Sequence, residues 1–327
     1  MSDTEKFLLK QLSTPGFHGG DKLGQELGIS RVAVSKHMAS LREKGLPLIS
    51  VAGKGYRLDE GVILLNRQSI EAYIDEKHLD QLVKIHIHQQ IESTNQWLLD
   101  QEFHQDQAVV CVSEAQLAGR GRRERQWHST AYRNLMFSLA WRFSNWPSSL
   151  SAVSLLSGLV VAEALEICGV AHVKIKWPND IYLNNKKLGG LLVSAKGEAS
   201  GACDLVVGVG INHHILENER AAIDQDWIDL QALGHTVDRN QLAALITEGF
   251  IDLLPQFEKQ GFGPFKEAWN SRGLYIGEEV RLFSQTTDEI RGTCGGVDDQ
   301  GVLQIQQADG STTAIRDADL SMRLVSN

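Results

Sequence analysis

Cysteine is scarce in this 327-residue chain and nowhere paired. Cys111, Cys168, Cys203 and Cys294 stand apart with no C-x-x-C among them, so neither a zinc site nor a disulfide framework is indicated, and free thiols of a reducing compartment are expected. No apolar run approaches the length that spans a bilayer. The opening M-S-D-T-E-K is acidic and polar, unlike a secretory signal. A cytoplasmic protein with no membrane partner is therefore expected. His86 and His88 share one face of an expected strand but lack a third ligand, and read as surface histidines. Missing too is a G-x-G-x-x-G turn that opens a helix: the glycines of Leu205–Ile211 lie on a strand ending at Asn212, which excludes a Rossmann turn.

What is present is unevenly charged. The formal net charge is -9, yet residues 1–60 hold nine Lys/Arg against seven Asp/Glu. Asp21 is positioned to cap a short helix burying Leu23 and Leu27, Gly28 supplies a tight turn, and Ser30 caps a second helix. That second helix puts Val34, Met38 and Leu41 on one face, leaving Arg31, Ser35 and Lys36 mainly on the other surface. Two short strands, Leu48–Val51 and Tyr56–Leu58, flank the basic turn Ala52-Gly53-Lys54-Gly55. The pattern predicts a winged helix-turn-helix that binds DNA through Ser30, Arg31, Ser35, Lys36 and Lys54. Asp59–Arg67 then leads into the next unit, with Leu64-Leu65-Asn66 pinned against one neighbour.

Four blocks follow with chemistry in them. In I-E-S-T-N-Q-W-L-L, Ser93, Thr94 and Asn95 precede an apolar helix; one caps it, and the others are spare for a small polar ligand. Q-L-A-G-R-G-R-R-E-R-Q-W, residues 116–127, crowds Arg120, Arg122, Arg123 and Arg125 around Gly119 and Gly121. Taken alone, that run reads as a solvated basic loop, a localisation signal or a nucleic-acid patch. Arginine forks and glycine backbone equally suit carboxylate and phosphate oxygens. K-W-P-N-D-I-Y-L-N-N-K-K-L-G-G predicts a hairpin turning at Asn184-Asn185, with Asp180 and Lys187 near one mouth. The carboxylate suits Mg²⁺, and the lysine suits charge on a reacting phosphoryl group. V-G-V-G-I-N completes the set. Helices are expected at Gln68–Tyr73, Leu150–Cys168, Leu242–Leu254 and Phe262–Asn270. Short strands at Glu279–Phe283, Glu289–Gly296, Val302–Gln306 and Thr312–Ile315 predict a small β-barrel.

In this order the blocks resemble the biotin–protein ligases, and the N-terminal unit with its G-K-G-Y wing resembles that of the bacterial members that also repress the biotin operon. The resemblance implies an α/β (α+β) chain: a winged helix-turn-helix over 1–65, a mixed-sheet catalytic domain over 66–273 and an SH3-like domain over 274–327. It implies that biotin and ATP, with Mg²⁺, form biotinyl-5′-AMP, and that biotin passes to a lysine of a biotin carboxyl carrier protein domain. Biotinyl-5′-AMP would also be the corepressor of a ligand-promoted homodimer on operator DNA. By the same likeness Ser93, Thr94, Asn95, Gln116, Gly119, Arg120, Gly121, Arg122, Lys187 and Gly190 contact biotin. Arg120, Arg122, Arg125, Trp127, Lys187, Asn212, Trp227 and Arg323 contact the nucleotide. Lys187, Arg122 and Asp180 carry the reaction, Asp180 as the metal ligand, and the backbone N–H groups of Gly119–Arg122 face the anions. The chain departs from the family at Glu124, where glycine is usual; that carboxylate either adds negative charge beside the loop or pairs with Arg122, Arg123 or Arg125. It departs again at Ser194, where an acid is common, and His213-His214 read as surface or pocket-rim histidines. A biotin-sensing transcription factor without catalysis is the alternative, against which Asp180 and Lys187 argue. A lipoate–protein ligase shares a related fold but not the R-G-R-R and K-W-P-N-D blocks.

Overall fold

The computed structural model describes residues 2–104, 107–147, 149–197, 201–217, 219, 226–284, 289–316 and 320–325, without the side chains of Val83 and Glu124. The pairing weighed for Glu124 therefore lies outside the described residues. The N-terminal unit has three helices, α1 (Asp3–Leu12), α2 (Gly20–Leu27) and α3 (Arg31–Glu43), then the antiparallel ribbon β1 (Leu48–Val51) and β2 (Gly55–Leu58). Gly28 closes α2 at φ 67°, a left-handed position that costs glycine little. Ser30 Oγ accepts from Ala33 N–H, and Val34, Met38 and Leu41 are buried as expected. Ser30, Arg31, Ser35, Lys36 and Lys54 are all exposed. Two corrections arise. The cap of α2 is Gly19, with no side-chain bond; Asp21 lies in its first turn and pairs with Arg31 at 3.5 Å. The acidic opening is a helix, α1, because Ser2 and Glu5 form a reciprocal capping box and Leu8, Leu9 and Leu12 supply an apolar face.

The central unit is a seven-stranded sheet in the order β3-β4-β5-β9-β8-β7-β6. Its strands are β3 (Leu82–His88), β4 (Ala108–Ser113), β5 (Leu135–Phe143), β6 (Lys174–Lys176), β7 (Asp180–Leu183), β8 (Lys186–Gly197) and β9 (Cys203–Ile211). Only β3 and β4 run parallel; the other neighbours are antiparallel. Helix α7 (Leu150–Ile167) and α8 (Arg239–Gln260) pack on each other and on the sheet. The short α6 (Thr94–Leu99) packs on β4, β5, β8 and β9, with Leu98 against Cys111, Ala140 and Val206. Helix α7 is 18 residues long and apolar enough in composition to cross a membrane, but two-thirds of it is buried in the core it organises.

Helix α8 also runs past its expected end. Pro255 removes one backbone donor, yet Phe257 packs on Phe143 at 6.3 Å and Glu258 accepts from Ser144 N–H at 2.6 Å, so tertiary contacts carry the last turn. Beyond α4 (Arg67–Tyr73), the four-residue α5 (Glu76–Leu79) was not foreseen. After α9 (Lys266–Arg272) come β10 (Glu279–Phe283), β11 (Ile290–Val297), β12 (Leu303–Gln306), β13 (Thr312–Ile315) and β14 (Ser321–Leu324). They form the SH3-like sheet in the order β13-β12-β11-β10-β14, and β14 was missed in the sequence.

The units interlock. Glu114 is fully buried and lies 2.8 Å from Arg239, itself 1% exposed. The Glu114 carboxylate also accepts from Leu65 N–H at 2.6 Å, and the Arg239 guanidinium donates to Ile63 O. Asn66 N–H donates to Asn240 Oδ1 at 2.8 Å, so the linker is pinned as expected. From the catalytic side, Tyr132 enters the apolar core of the helix-turn-helix beside Leu8, Met38, Leu41 and Leu46. Arg133 bonds Asp59 and, at 2.7 Å, His214 Nδ1.

Removing one partner of the buried pair is expected to be costly. Arg239→Ala should lower stability by about 3–5 kcal/mol in urea titration, because Glu114 is left buried and charged. A Glu114→Gln/Arg239→Met pair should restore much of it; a loss below about 1 kcal/mol in the single variant would contradict the role assigned. In the N-terminal unit the Glu5 carboxyl is held below its ordinary 4.5, first by the Lys44 hydrogen bond, against burial, with Ser2 and Ser40 helping. Its folded-state pKa is depressed, so its stabilisation is present above 4.5 and lost as pH falls through the lower folded value. Amide exchange in α1 should speed up in that acid range, and Glu5→Gln should flatten the dependence.

Candidate active site

At the head of α6 three polar side chains divide the work. Ser93 Oγ caps the helix by accepting from Gln96 N–H. Thr94 N–H and Oγ1 donate to Gln116 Oε1 at 2.8 and 3.0 Å, and Thr94 Oγ1 lies 2.8 Å from Ser138 Oγ on β5. Asn95 Nδ2 donates to Leu192 O at 3.3 Å. Among the described residues this leaves the Gln116 amide N–H groups and the Asn95 carbonyl oxygen for a ligand. The cluster is oriented before any ligand arrives. Ser138 was missed in the sequence because its strand reads only as buried apolar alternation.

The opposite wall is the hairpin β7–β8. Asn184 and Asn185 turn it at φ 49° and 59°. Asp180 Oδ1 and Lys187 Nζ meet at 2.8 Å, and Lys187 Nζ lies 5.7 Å from the Trp127 ring centroid. Asn212 donates from Nδ2 to Lys187 O and Ile228 O, stitching the segment that carries Trp227 to β8. Lys176 is 3% exposed and donates to Tyr182 Oη at 3.2 Å. Burial first, then Arg323, pushes its ammonium down to about 8 against the pull of Asp180. Lys176 was quoted in the K-W-P-N-D block but assigned no role; its signal was a lysine directly beside a buried tryptophan.

The glycine–arginine segment closes on itself as a small hairpin. Gly121 N–H donates to Arg125 O at 2.7 Å and Trp127 N–H to Gly119 O at 2.8 Å, across an Arg120–Gln126 bridge. Residues Arg122–Glu124 make a 3-10 turn, with Arg123 at φ 56°. In this arrangement the Gly121 N–H is committed within the loop. Gly119 serves close approach: a Cβ there would stand 2.7 Å from Trp127 O. Arg120 Nη1 donates to Gln96 Oε1 at 3.1 Å, which ties the loop to α6.

These walls enclose a cavity of about 530 Å³, a size suited to a cofactor-sized ligand. Ser93, Thr94, Asn95, Gln116, Arg120, Gly121, Arg122, Arg125, Trp127, Asp180, Lys187, Gly190, Asn212, Trp227 and Arg323 all line it; Gly119 does not. Arg123, Gln126, His128, Ser138, Lys176 and Asn179 are added to the expected set. Among the described residues no three His, Cys, Asp or Glu side chains form a metal-holding group. Asp180 alone is the sort of single carboxylate that meets Mg²⁺ carried on substrate phosphates. His86 and His88 pack tilted against Trp97, with ring centroids 4.6 and 4.9 Å away, and burial lowers both pKa values. His213 is buried, not at a rim, and its Nε2 bonds Val237 O at 2.7 Å; His214 meets Arg133.

Fold and cavity together define an α/β domain whose one described cavity joins a polar cluster to a cationic loop, carried between a helix-turn-helix and an SH3-like unit. The biotin/lipoate A/B protein ligase family model matches residues 87–212, an HTH-domain model residues 4–57, and a biotin protein ligase C-terminal domain model residues 275–323. The bifunctional ligase/repressor BirA of Escherichia coli (strain K12) is 38% identical over 316 residues, 97% of this chain and 96% of that protein. That of Bacillus subtilis (strain 168) is 30% identical over 94% of this chain and 96% of its own. The biotin protein ligase from Aquifex aeolicus in complex with biotin and ATP superposes with a TM-score of 0.62 and 28% identity, over 74% of this chain and 100% of that one. The chain belongs to the biotin–protein ligase family, in its bifunctional ligase/repressor form.

Trp127 offers a direct test of the cavity. A Cβ on Gly210 would lie 2.5 Å from the indole Cε2. Gly210→Ala should displace the ring, cost about 1–3 kcal/mol and slow nucleotide-dependent turnover by roughly tenfold or more. Unchanged turnover would mean that Trp127 need not occupy this place.

Proposed function

We propose that this protein activates biotin with MgATP and transfers it to a lysine of a biotin carboxyl carrier protein domain. The observation that carries the reading is the Asp180–Lys187 pair, held at 2.8 Å in one cavity with the arginine loop and the Thr94–Gln116–Ser138 cluster. The polar cluster binds the biotin ring system through Ser93, Thr94, Asn95 and Gln116, with Gly190 beside it. Arg120 and Arg122 offset the repulsion between the biotin carboxylate and the triphosphate. The carboxylate oxygen attacks the α-phosphorus, the bond to the bridging oxygen breaks, and pyrophosphate leaves with the electron pair. Lys187 stabilises the charge that builds on the α-phosphoryl oxygens. Asp180 would hold the Mg²⁺ that accompanies the phosphates, which would supply charge neutralisation there. Trp127, Trp227, Asn212, Arg125 and Arg323 surround the nucleoside half. The ordered loop keeps water from the mixed anhydride until the acceptor amine attacks it.

We divide the work as DNA binding by 1–65, catalysis by 66–273 and support from 274–327, in the cytoplasm. Adenylate-bound protein dimerises, and paired α3 helices, through Ser30, Arg31, Ser35 and Lys36 with Lys54 on each wing, read two half-sites of an operator. The test is incubation with ATP, Mg²⁺ and biotin, with and without a carrier domain, following pyrophosphate and protein-bound biotin. Carrier labelling is expected, and Lys187→Ala should reduce adenylate formation by at least about 100-fold. Biotin binding without pyrophosphate release would leave a sensing regulator instead.

A further inference from the structure

Two of the five residues expected to meet DNA are already engaged within the protein. Ser30 Oγ accepts from Ala33 N–H at 3.2 Å, and the Arg31 guanidinium turns back to Asp21 at 3.5 Å. The face of α3 left outward carries Val32, Ser35, Lys36 and Ala39, at i, i+3, i+4 and i+7, all exposed. Val34, Met38 and Leu41 fill the opposite side and are buried. Val32 is 67% exposed, the highest value among the large hydrophobic residues described. A lone apolar side chain at a surface is ordinary. This one stands at the second position of α3, beside a serine and a lysine, at the end that a helix-turn-helix brings against base edges. Alanine would form the helix better, since the branched side chain of valine loses χ1 freedom there. Neither packing nor helix propensity accounts for a valine at this place.

We propose that Val32 is a specificity-determining residue for the operator half-site, reading a thymine through contact with its C5-methyl group in the major groove. The assignment rests on the DNA-binding reading above and names the base feature that α3 recognises. Of the four bases only thymine sets a methyl group on the major-groove edge, so an apolar side chain separates it from the other three. The neighbours complete the contact without competing for it. Ser35 and Lys36 offer donors to base edges one turn further along, and Ala39 is short enough for the helix to lie close in the groove. Ser30 and Arg31, held at the start of the helix, then serve the sugar–phosphate backbone, which fixes orientation, while Val32 supplies discrimination.

The test uses the full chain with biotin and MgATP. Duplexes that the protein enriches from a randomised pool supply the probe, and thymines of the enriched half-sites are replaced, one position at a time, by deoxyuridine, which lacks the methyl group. At fixed salt one thymine position should stand out. Its replacement should weaken binding about 3–5-fold in one half-site and about 10–25-fold in both. Val32→Ala alters both half-sites of the dimer and should weaken binding to the thymine duplex by about the larger factor. The variant should no longer separate thymine from deoxyuridine at that position, while its response at every other thymine stays as in the unaltered protein. Carrier biotinylation by Val32→Ala should be unchanged, which shows that the variant folds. If Val32→Ala still tells thymine from deoxyuridine as the unaltered protein does, the assignment is overturned. Enriched half-sites in which no thymine responds to loss of its methyl group would overturn it too. Failure of the unaltered protein to enrich any duplex would instead remove the DNA-binding reading itself.

Discussion

The buried pair of Glu114 and Arg239 is the constraint from which the rest of the arrangement follows. It joins the end of β4, the start of α8 and the linker in one desolvated contact. Such a pair contributes little net stability against an apolar alternative, since desolvation offsets most of the Coulombic gain. Its worth is specificity. Glu114 accepts from Leu65 N–H and its own carbonyl accepts from Tyr132 N–H, so the two segments that flank the arginine loop leave from one fixed point. The pair meets at 2.8 Å as opposed charges while Glu114 Oε2 lacks an aligned hydrogen bond, which fits a joint set by the surrounding backbone rather than by fork-to-carboxylate geometry.

From that point the cavity takes its electrical character. The chain is acidic overall, yet Arg120, Arg122, Arg125, Lys176, Lys187 and Arg323 converge on one concavity where, among the described residues, Asp180 is the one lining carboxylate. A low-dielectric wall makes each cation count for more than it would in water. It also makes their mutual repulsion larger, which ligand anions relieve. On the reading proposed above, binding of the triphosphate and the acid relieves that repulsion, and the polar cluster at α6 receives the neutral end of the ligand.

Much of this was legible in the sequence because the chemistry sits in contiguous blocks. The α2–α3 pair followed from Gly28, Ser30 and the spacing of Val34, Met38 and Leu41; the cavity walls followed from the polar triplet, the arginine loop and the K-W-P-N-D hairpin. What escaped depends on contacts far apart in sequence. Ser138 matters only because β5 lies beside α6, and Lys176 only because Tyr275 and Arg323 return from the C-terminal unit. Asp21 was misplaced because a favourable cap residue lay two positions inside the helix, where pairing with Arg31 suits it instead. The end of α8 was placed at Leu254, six residues short, because the packing of Phe257 on Phe143 that carries the last turn is not visible locally.

The least legible feature is also the one that joins the two activities. Tyr132 holds a left-handed backbone, φ 61°, which a bulky residue adopts only where surrounding contacts hold it. Its ring is 2% exposed and belongs to the helix-turn-helix core, while five residues earlier Trp127 lies in the cavity. The next residues, Arg133 and Asn134, grip Asp59 of the linker and the backbone of His213 and His214 just after β9. The segment that lines the cavity at Trp127 therefore also packs into the core of the helix-turn-helix at Tyr132, and the left-handed backbone at Tyr132 is held by burial there.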